Sequence, residues 1–191
     1  MSARRSGRRM RLPMLAALVV LTALGGLTIM TAAAASNDGA EHASATLRDV
    51  DGNEIGFANF TETATGVVKV SVHVKGLSEG LHGIHVHNTA SCAGAGFSGA
   101  GSHHNPSVPP ALHGSHGGDL PNLTVNRAGI GRLNATTERF TLSPGVTTVF
   151  DTNGVTDGSA LVIHALEDDL SPATPTGNSG ARIACGIIEA G

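Results

Sequence analysis

The sequence predicts an all-β domain, a barrel or sandwich of about eight antiparallel strands with two long functional loops. Three observations point there. Short runs rich in Val, Ile and Thr are closed by turn signals such as Asp51-Gly52 and Ala128-Gly129. Between Gly66 and Val74 the valines at 68, 70, 72 and 74 alternate with polar residues, the period of a half-buried strand. No segment sustains a helical period. The 191 residues are enough for one domain, and with no Trp or Tyr and 5 Phe its core must be Val, Ile, Leu and Ala.

In chain order, Arg4, Arg5, Arg8, Arg9 and Arg11 form a basic start, followed by an apolar run from Leu12 to Met30 and the small residues Ala33-Ala34-Ala35. That is the layout of a secretory signal peptide, which we assign to residues 1–35. The run is long enough to stay as a membrane anchor, but Pro13 and Gly25-Gly26 oppose that. Membrane association is expected only if the segment is retained. Residues 36–42 read as a loose tail, and 43–191 as the folded domain.

Within the domain the strands are expected at Ala45–Asp49, Glu54–Thr61, Gly66–Val74, Gly83–His87, Leu123–Asn126, Ile130–Thr137, Thr147–Phe150, Ala160–His164 and Arg182–Ile188. Two connections are much longer than the rest, Asn88–Gly118 and Ala165–Ala181. Loops of that length in a compact domain are usually functional.

The stretch from Leu81 to Asp119, which spans the first long connection and the strand before it, holds 7 of the 10 histidines. His85 and His87 alternate with Ile84 and Val86, so on a strand both imidazoles share one face, about 6.6 Å apart, while the aliphatic pair faces the core. His103 and His104 follow, then His113, His116 and Asp119, spaced by three in glycine-rich sequence. Imidazole suits copper and zinc, and a carboxylate added to histidines suits zinc. A solvated histidine-rich tract would need neither the alternating strand nor the closing carboxylate.

Loss of residues 1–35 removes five arginines and no acid, leaving 7 basic against 15 acidic residues and a net charge of −8. Such a domain does not attract nucleic acid. Any small anion it handles must be drawn in by local positive charge. Cys92 and Cys185 are the only cysteines, and in an exported chain they read as one disulfide. It would close a loop of about 94 residues, worth roughly 4–5 kcal/mol in the chain-entropy model. It would also tie the histidine loop to the last strand and bring Arg182 near the metal.

Five motifs in order resemble the copper/zinc superoxide dismutases. They are His82-Gly83-Ile84-His85-Val86-His87, Gly101-Ser102-His103-His104-Asn105-Pro106, His116-Gly117-Gly118-Asp119-Leu120-Pro121-Asn122, Val162-Ile163-His164, and the stretch from Thr176 to Gly186. The resemblance implies a Greek-key β-barrel, a fold known for this enzyme. It implies copper on His85, His87, His103 and His164. It implies zinc on His103, His113, His116 and Asp119, with His103 bridging the two ions and handling a proton. Asp168 falls where the family has a carboxylate linking a copper-binding to a zinc-binding histidine, and Arg182 at the anion-guiding arginine. Cys92 and Cys185 fall at the family's disulfide.

The sequence departs from the family at three places. The segment between His113 and His116 is short, His104 stands where an aromatic residue is expected and could compete as a ligand, and the loop after His164 has no lysine. His82 is expected to brace the loop by hydrogen bonds rather than bind metal. The function implied is dismutation of the superoxide anion. The competing reading is a non-catalytic copper-binding or copper-delivery protein on the same barrel. The sequence leaves monomer and homodimer both open.

Overall fold

The computed structural model of the protein describes residues 41–107, 110–150 and 158–191. Among these residues ten antiparallel strands form in chain order: β1 (Glu41–Asp49), β2 (Glu54–Glu62), β3 (Val68–Lys75), β4 (Gly80–His82), β5 (Ile84–His87), β6 (Leu123–Val125), β7 (Ile130–Thr137), β8 (Ala160–His164), β9 (Arg182–Ile187) and β10 (Glu189–Ala190). They hydrogen-bond in the order β4-β6-β7-β3-β2-β1-β9-β8-β5, with β10 added to β1. The two edge strands, β4 and β5, are separated in sequence by Gly83 alone. The chain therefore carries one edge of the sheet straight into the other, and the sheet is a nearly closed barrel. A Cβ at Gly83 would lie 2.6 Å from Ser179 Oγ, so this crossing requires glycine.

Alternation places the core. Val68, Val70, Val72 and Val74 of β3 point inward and are buried, whereas Lys69, Ser71 and Lys75 face outward. Ala43, Ala45 and Leu47 of β1, Ala58 and Phe60 of β2, and Ile84 and Val86 of β5 join them in one interior cluster. Phe60 and Phe140 meet edge to face, with ring centroids 6.4 Å apart. β5 and β8 are buried along both faces although the sequence of β5 alternates. Their outer faces are roofed by the first long connection, whose turn Ala95–Ala100 lays Phe97 and Ala100 against Ala160, Val162 and Cys185.

The predicted strands mostly hold, with boundary differences. Glu41 and His42, read as the end of a loose tail, pair with Glu62 and Thr61 and begin β1; residues 36–40 and the signal segment lie outside the described residues. The segment predicted as Gly83–His87 is preceded by a separate short strand, β4, which pairs with β6. Thr147–Phe150 is not a strand. It is a loop tied by a single bridge between Thr141 and Thr148, and the chain before it hangs from Glu62, a buried carboxylate. Glu62 Oε2 accepts the amides of Leu142 at 2.6 Å and Ser143 at 2.7 Å. A side chain satisfies the backbone there in place of a partner strand.

Candidate metal centre

β5 supplies the foundation. Its Ile84 and Val86 are locked into the core, which turns His85 and His87 to the opposite face. β8 pairs with β5 from Ile84·Ile163 to His87·Ala160, and a register shift after Ile163 leaves His164 at the strand end, opposite Arg182. On its other edge β5 takes two short pieces of the long connection. Asn88 N donates to Ser102 O, His104 N to Val86 O, and Val86 N to Gly118 O, at 2.8–2.9 Å. These bonds carry His103 and Asp119 in beside His87 and His85. A free strand edge is thus used to mount a functional loop.

Among the described residues three groups of convergent donors result, the smallest being His85, His113 and Asp168, and the other two hold four residues each. One ligand atom each from His85, His87, His103 and His164 lies within 4.8 Å of the others, and so does one each from His103, His113, His116 and Asp119. His103 belongs to both. The residues that the resemblance implies as ligands are thus close together in two groups.

Hydrogen bonds fix which nitrogen each ring presents. His85 Nε2 donates to Asp168 Oδ2 at 2.5 Å and His113 Nε2 to Asp168 Oδ1 at 2.9 Å. His87 Nδ1 donates to Gly101 O at 3.0 Å and His164 Nδ1 to Gly180 O at 3.2 Å. A carboxylate or carbonyl only accepts, so each of these nitrogens carries the proton and the other nitrogen is a bare lone pair. His85 Nδ1, His87 Nε2, His103 Nε2, His113 Nδ1 and His164 Nε2 are buried and have no hydrogen-bond partner. Buried polar atoms are almost always satisfied, so five convergent bare nitrogens fit bound cations. Asp119 completes the second group: Oδ1 lies 2.8 Å from His103 Nδ1 and 3.3 Å from His116 Nδ1, and Oδ2 3.6 Å from His113 Nδ1.

Electrostatics agree. Burial pushes His87 down to about 2 and His164 to about 3, and lowers His85 and His116 as well, so these rings are neutral at pH 7. For Asp168 burial acts upward, but the hydrogen bonds from His85 and His113 outweigh it and hold the carboxyl at about 2. Asp119 is likewise lowered: burial is opposed and exceeded by the bond from His103 and the neighbouring imidazoles. Neutral imidazoles and ionised carboxylates are the forms that bind metal.

Arg182 is held beside the first group. Its Nη1 donates to Phe97 O at 2.8 Å and its Nη2 to Gly101 O at 2.6 Å, the carbonyl that also orients His87. Cys92 and Cys185 form the expected disulfide, with Cα atoms 5.7 Å apart. His104 does not enter either group. Its Nε2 donates to Thr147 O at 3.3 Å. His82 braces the loop as expected, with Nδ1 2.7 Å from His164 O and Nε2 3.0 Å from Ser78 O.

Two supporting residues were given no role by the sequence. Arg139 reaches Asp119 O at 2.7 Å and Gly114 O at 3.1 Å, gripping the backbone that carries His116 and Asp119. Asn122 clasps the backbone of Asp168, donating to its O at 2.9 Å and accepting from its N at 2.8 Å. Asn122 stood inside a recognised motif, but neither role is visible until the loops are folded together.

The profile of the copper/zinc superoxide dismutases matches residues 54–188. The chain belongs to the copper/zinc superoxide dismutase family. It is 36% identical over 188 residues to a Cu-Zn superoxide dismutase of Deinococcus radiodurans, covering 91% of this chain and 96% of that one. An extracellular Cu-Zn superoxide dismutase of Drosophila melanogaster is 36% identical over 143 residues, covering 70% of this chain and 74% of that one. Among solved structures, a SOD-like protein from Bacillus subtilis superposes with a TM-score of 0.68 at 31% identity, over 75% of this chain and 96% of that one. The family's metals are copper and zinc, and the two donor groups suit them. Four imidazoles can hold copper in both oxidation states, and three imidazoles with one carboxylate make a closed site for zinc.

Proposed function

We propose that the protein is a superoxide dismutase that converts two superoxide anions and two protons into dioxygen and hydrogen peroxide. Copper is assigned to His85, His87, His103 and His164, and zinc to His103, His113, His116 and Asp119. The observation that carries this reading is the set of bare, buried imidazole nitrogens converging next to a guanidinium. A copper-storage or delivery protein has no use for a cation poised at the site.

Bound copper supplies the one-electron exchange with superoxide, and bound zinc, redox-inert, holds the loop. The chain's own residues do the rest. Arg182 attracts the anion in a domain whose mature net charge of −8 opposes its approach. His103 has one nitrogen in each site, and its Nε2 is the atom that can hold a proton for the reduced substrate. Asp168 keeps His85 and His113 in one tautomer and couples their orientations.

The N-terminal layout and the disulfide support an extracytoplasmic protein freed by cleavage after residue 35. N-terminal sequencing of the exported protein should then begin at Ser36. Metal analysis alongside a dismutation assay tests the function. His85→Ala should abolish activity with the barrel folded, and an active, copper-loaded His85→Ala protein would overturn the assignment. His116→Ala should lower zinc content; if zinc is unchanged, the loop is misassigned.

A further inference from the structure

Arg182 is held by two carbonyls of a glycine-rich turn, and their aim depends on how that turn is anchored. From Cys92 to Gly101 the sequence is Cys-Ala-Gly-Ala-Gly-Phe-Ser-Gly-Ala-Gly. Gly94, Gly96 and Gly101 all adopt positive φ, at 81°, 57° and 76°. The disulfide pins Cys92, but two glycines separate it from the first carbonyl. The one large side chain in the stretch is Phe97, which is also the residue whose carbonyl takes Arg182 Nη1.

Phe97 itself lies in the left-handed region, at φ 54° and ψ 34°. A bulky non-glycine residue is a genuine outlier there, and such strain persists only where the surroundings over-determine it. The surroundings are identifiable. Phe97 is 8% exposed and packs with Ala100, Ala160, Val162 and Cys185, against the walls of β8 and β9. Burial of the ring holds the backbone in a conformation that glycine would adopt freely, and that backbone sets where the carbonyl points.

We propose that Phe97 is a positioning residue for Arg182: its buried ring anchors the loop so that the carbonyls of Phe97 and Gly101 hold the guanidinium toward the incoming anion. The proposal rests on the reading of Arg182 as the residue that attracts superoxide. Without the ring, only the disulfide and short-range backbone bonds such as Phe97 N to Gly94 O and Gly99 N to Ala93 O would hold the turn. The carbonyl that takes Arg182 Nη1 could then shift while the histidines stay in place.

The test is a double-mutant cycle on kcat/KM for superoxide at low ionic strength, in proteins matched for copper and zinc content. Arg182→Ala alone should cost roughly tenfold, within the range that steering supplies. Phe97→Ala alone should cost about threefold, part of that same steering contribution. In the Arg182→Ala background Phe97→Ala should cost nothing further, because it acts only through the arginine. Phe97→Leu, which keeps an apolar anchor, should recover most of the loss. A threefold cost in both backgrounds overturns the proposal and makes Phe97 a general support of the fold. No cost with Arg182 present also overturns it. If Arg182→Ala is itself without cost, the reading of Arg182 fails and this proposal with it, a result distinct from the other two. Should Phe97→Ala not fold, Phe97→Leu and Phe97→Met carry the same cycle, and a cost shared by both backgrounds refutes it equally.

Discussion

Asp168 shows how much one residue organises. Each oxygen of its carboxylate takes an Nε2 proton, from His85 in one donor group and His113 in the other. Gly177, at φ 62°, lets the loop pass so close that a Cβ there would fall 2.5 Å from His113 Nε2. Asp168→Asn keeps the shape but replaces one acceptor with an N–H, so only one histidine can remain bonded. Loss of such an outer carboxylate typically costs 10–100-fold in metal affinity. Chelator competition on Asp168→Asn should therefore show zinc held about tenfold or more weakly, with the barrel intact. Unchanged zinc affinity would mean that the two histidines are oriented without it. Spacing from His164 located Asp168 by resemblance, but that it faces both histidines at once is a fact of the folded loop.

At the scale of elements, β3, β7 and β8 were legible because their alternation or their β-branched runs are governed by local geometry. Thr147–Phe150 misled for the same reason: a Thr- and Val-rich run has strand propensity, but here it meets Thr141 in one isolated bridge. Glu62 takes over part of that role by accepting two amides. Glu62→Ala would leave the buried Leu142 amide and the part-buried Ser143 amide unpaired, at a cost of about 1–3 kcal/mol. Urea denaturation of wild type and Glu62→Ala measures it, with Glu62→Gln expected in between because an acceptor remains. A difference below about 0.5 kcal/mol would show that the loop is held by other contacts.

For the whole molecule, the centre concentrates neutral histidines in a low-dielectric interior, and that sets the pH dependence of the metal-free protein. His87 and His164 titrate near 2 and 3 when folded, against about 6.5 in an unfolded chain. Their contribution is fully present above pH 6.5. Below it the unfolded chain takes up protons that the folded chain refuses, so stability falls with pH. Each group costs about 1.4 kcal/mol per pH unit until its folded value is reached. The metal-free protein should lose about 3 kcal/mol between pH 7.5 and 5.5 by denaturant unfolding. Asp119 and Asp168, held ionised, add to the loss only below about pH 4. A flat profile from 7.5 to 5.5 would mean that these imidazoles are not kept neutral by the fold.

The sequence by itself determined the fold class, the ligand types and the pairing of the cysteines. Strand periodicity, histidine spacing and a lone cysteine pair are local or countable properties, and the family motifs added the assignment of each residue. The tertiary structure decided what depends on distant segments meeting. It chose the ring nitrogen each histidine presents, through Gly101 O, Gly180 O and Asp168. It bonded His104 to Thr147 O and left it out of both donor groups. It set Arg182 on the carbonyls of Phe97 and Gly101, 81 to 85 residues earlier in the chain. A hydrogen bond's direction and a carbonyl's aim follow from how loops are packed together, and no local pattern in the sequence encodes them.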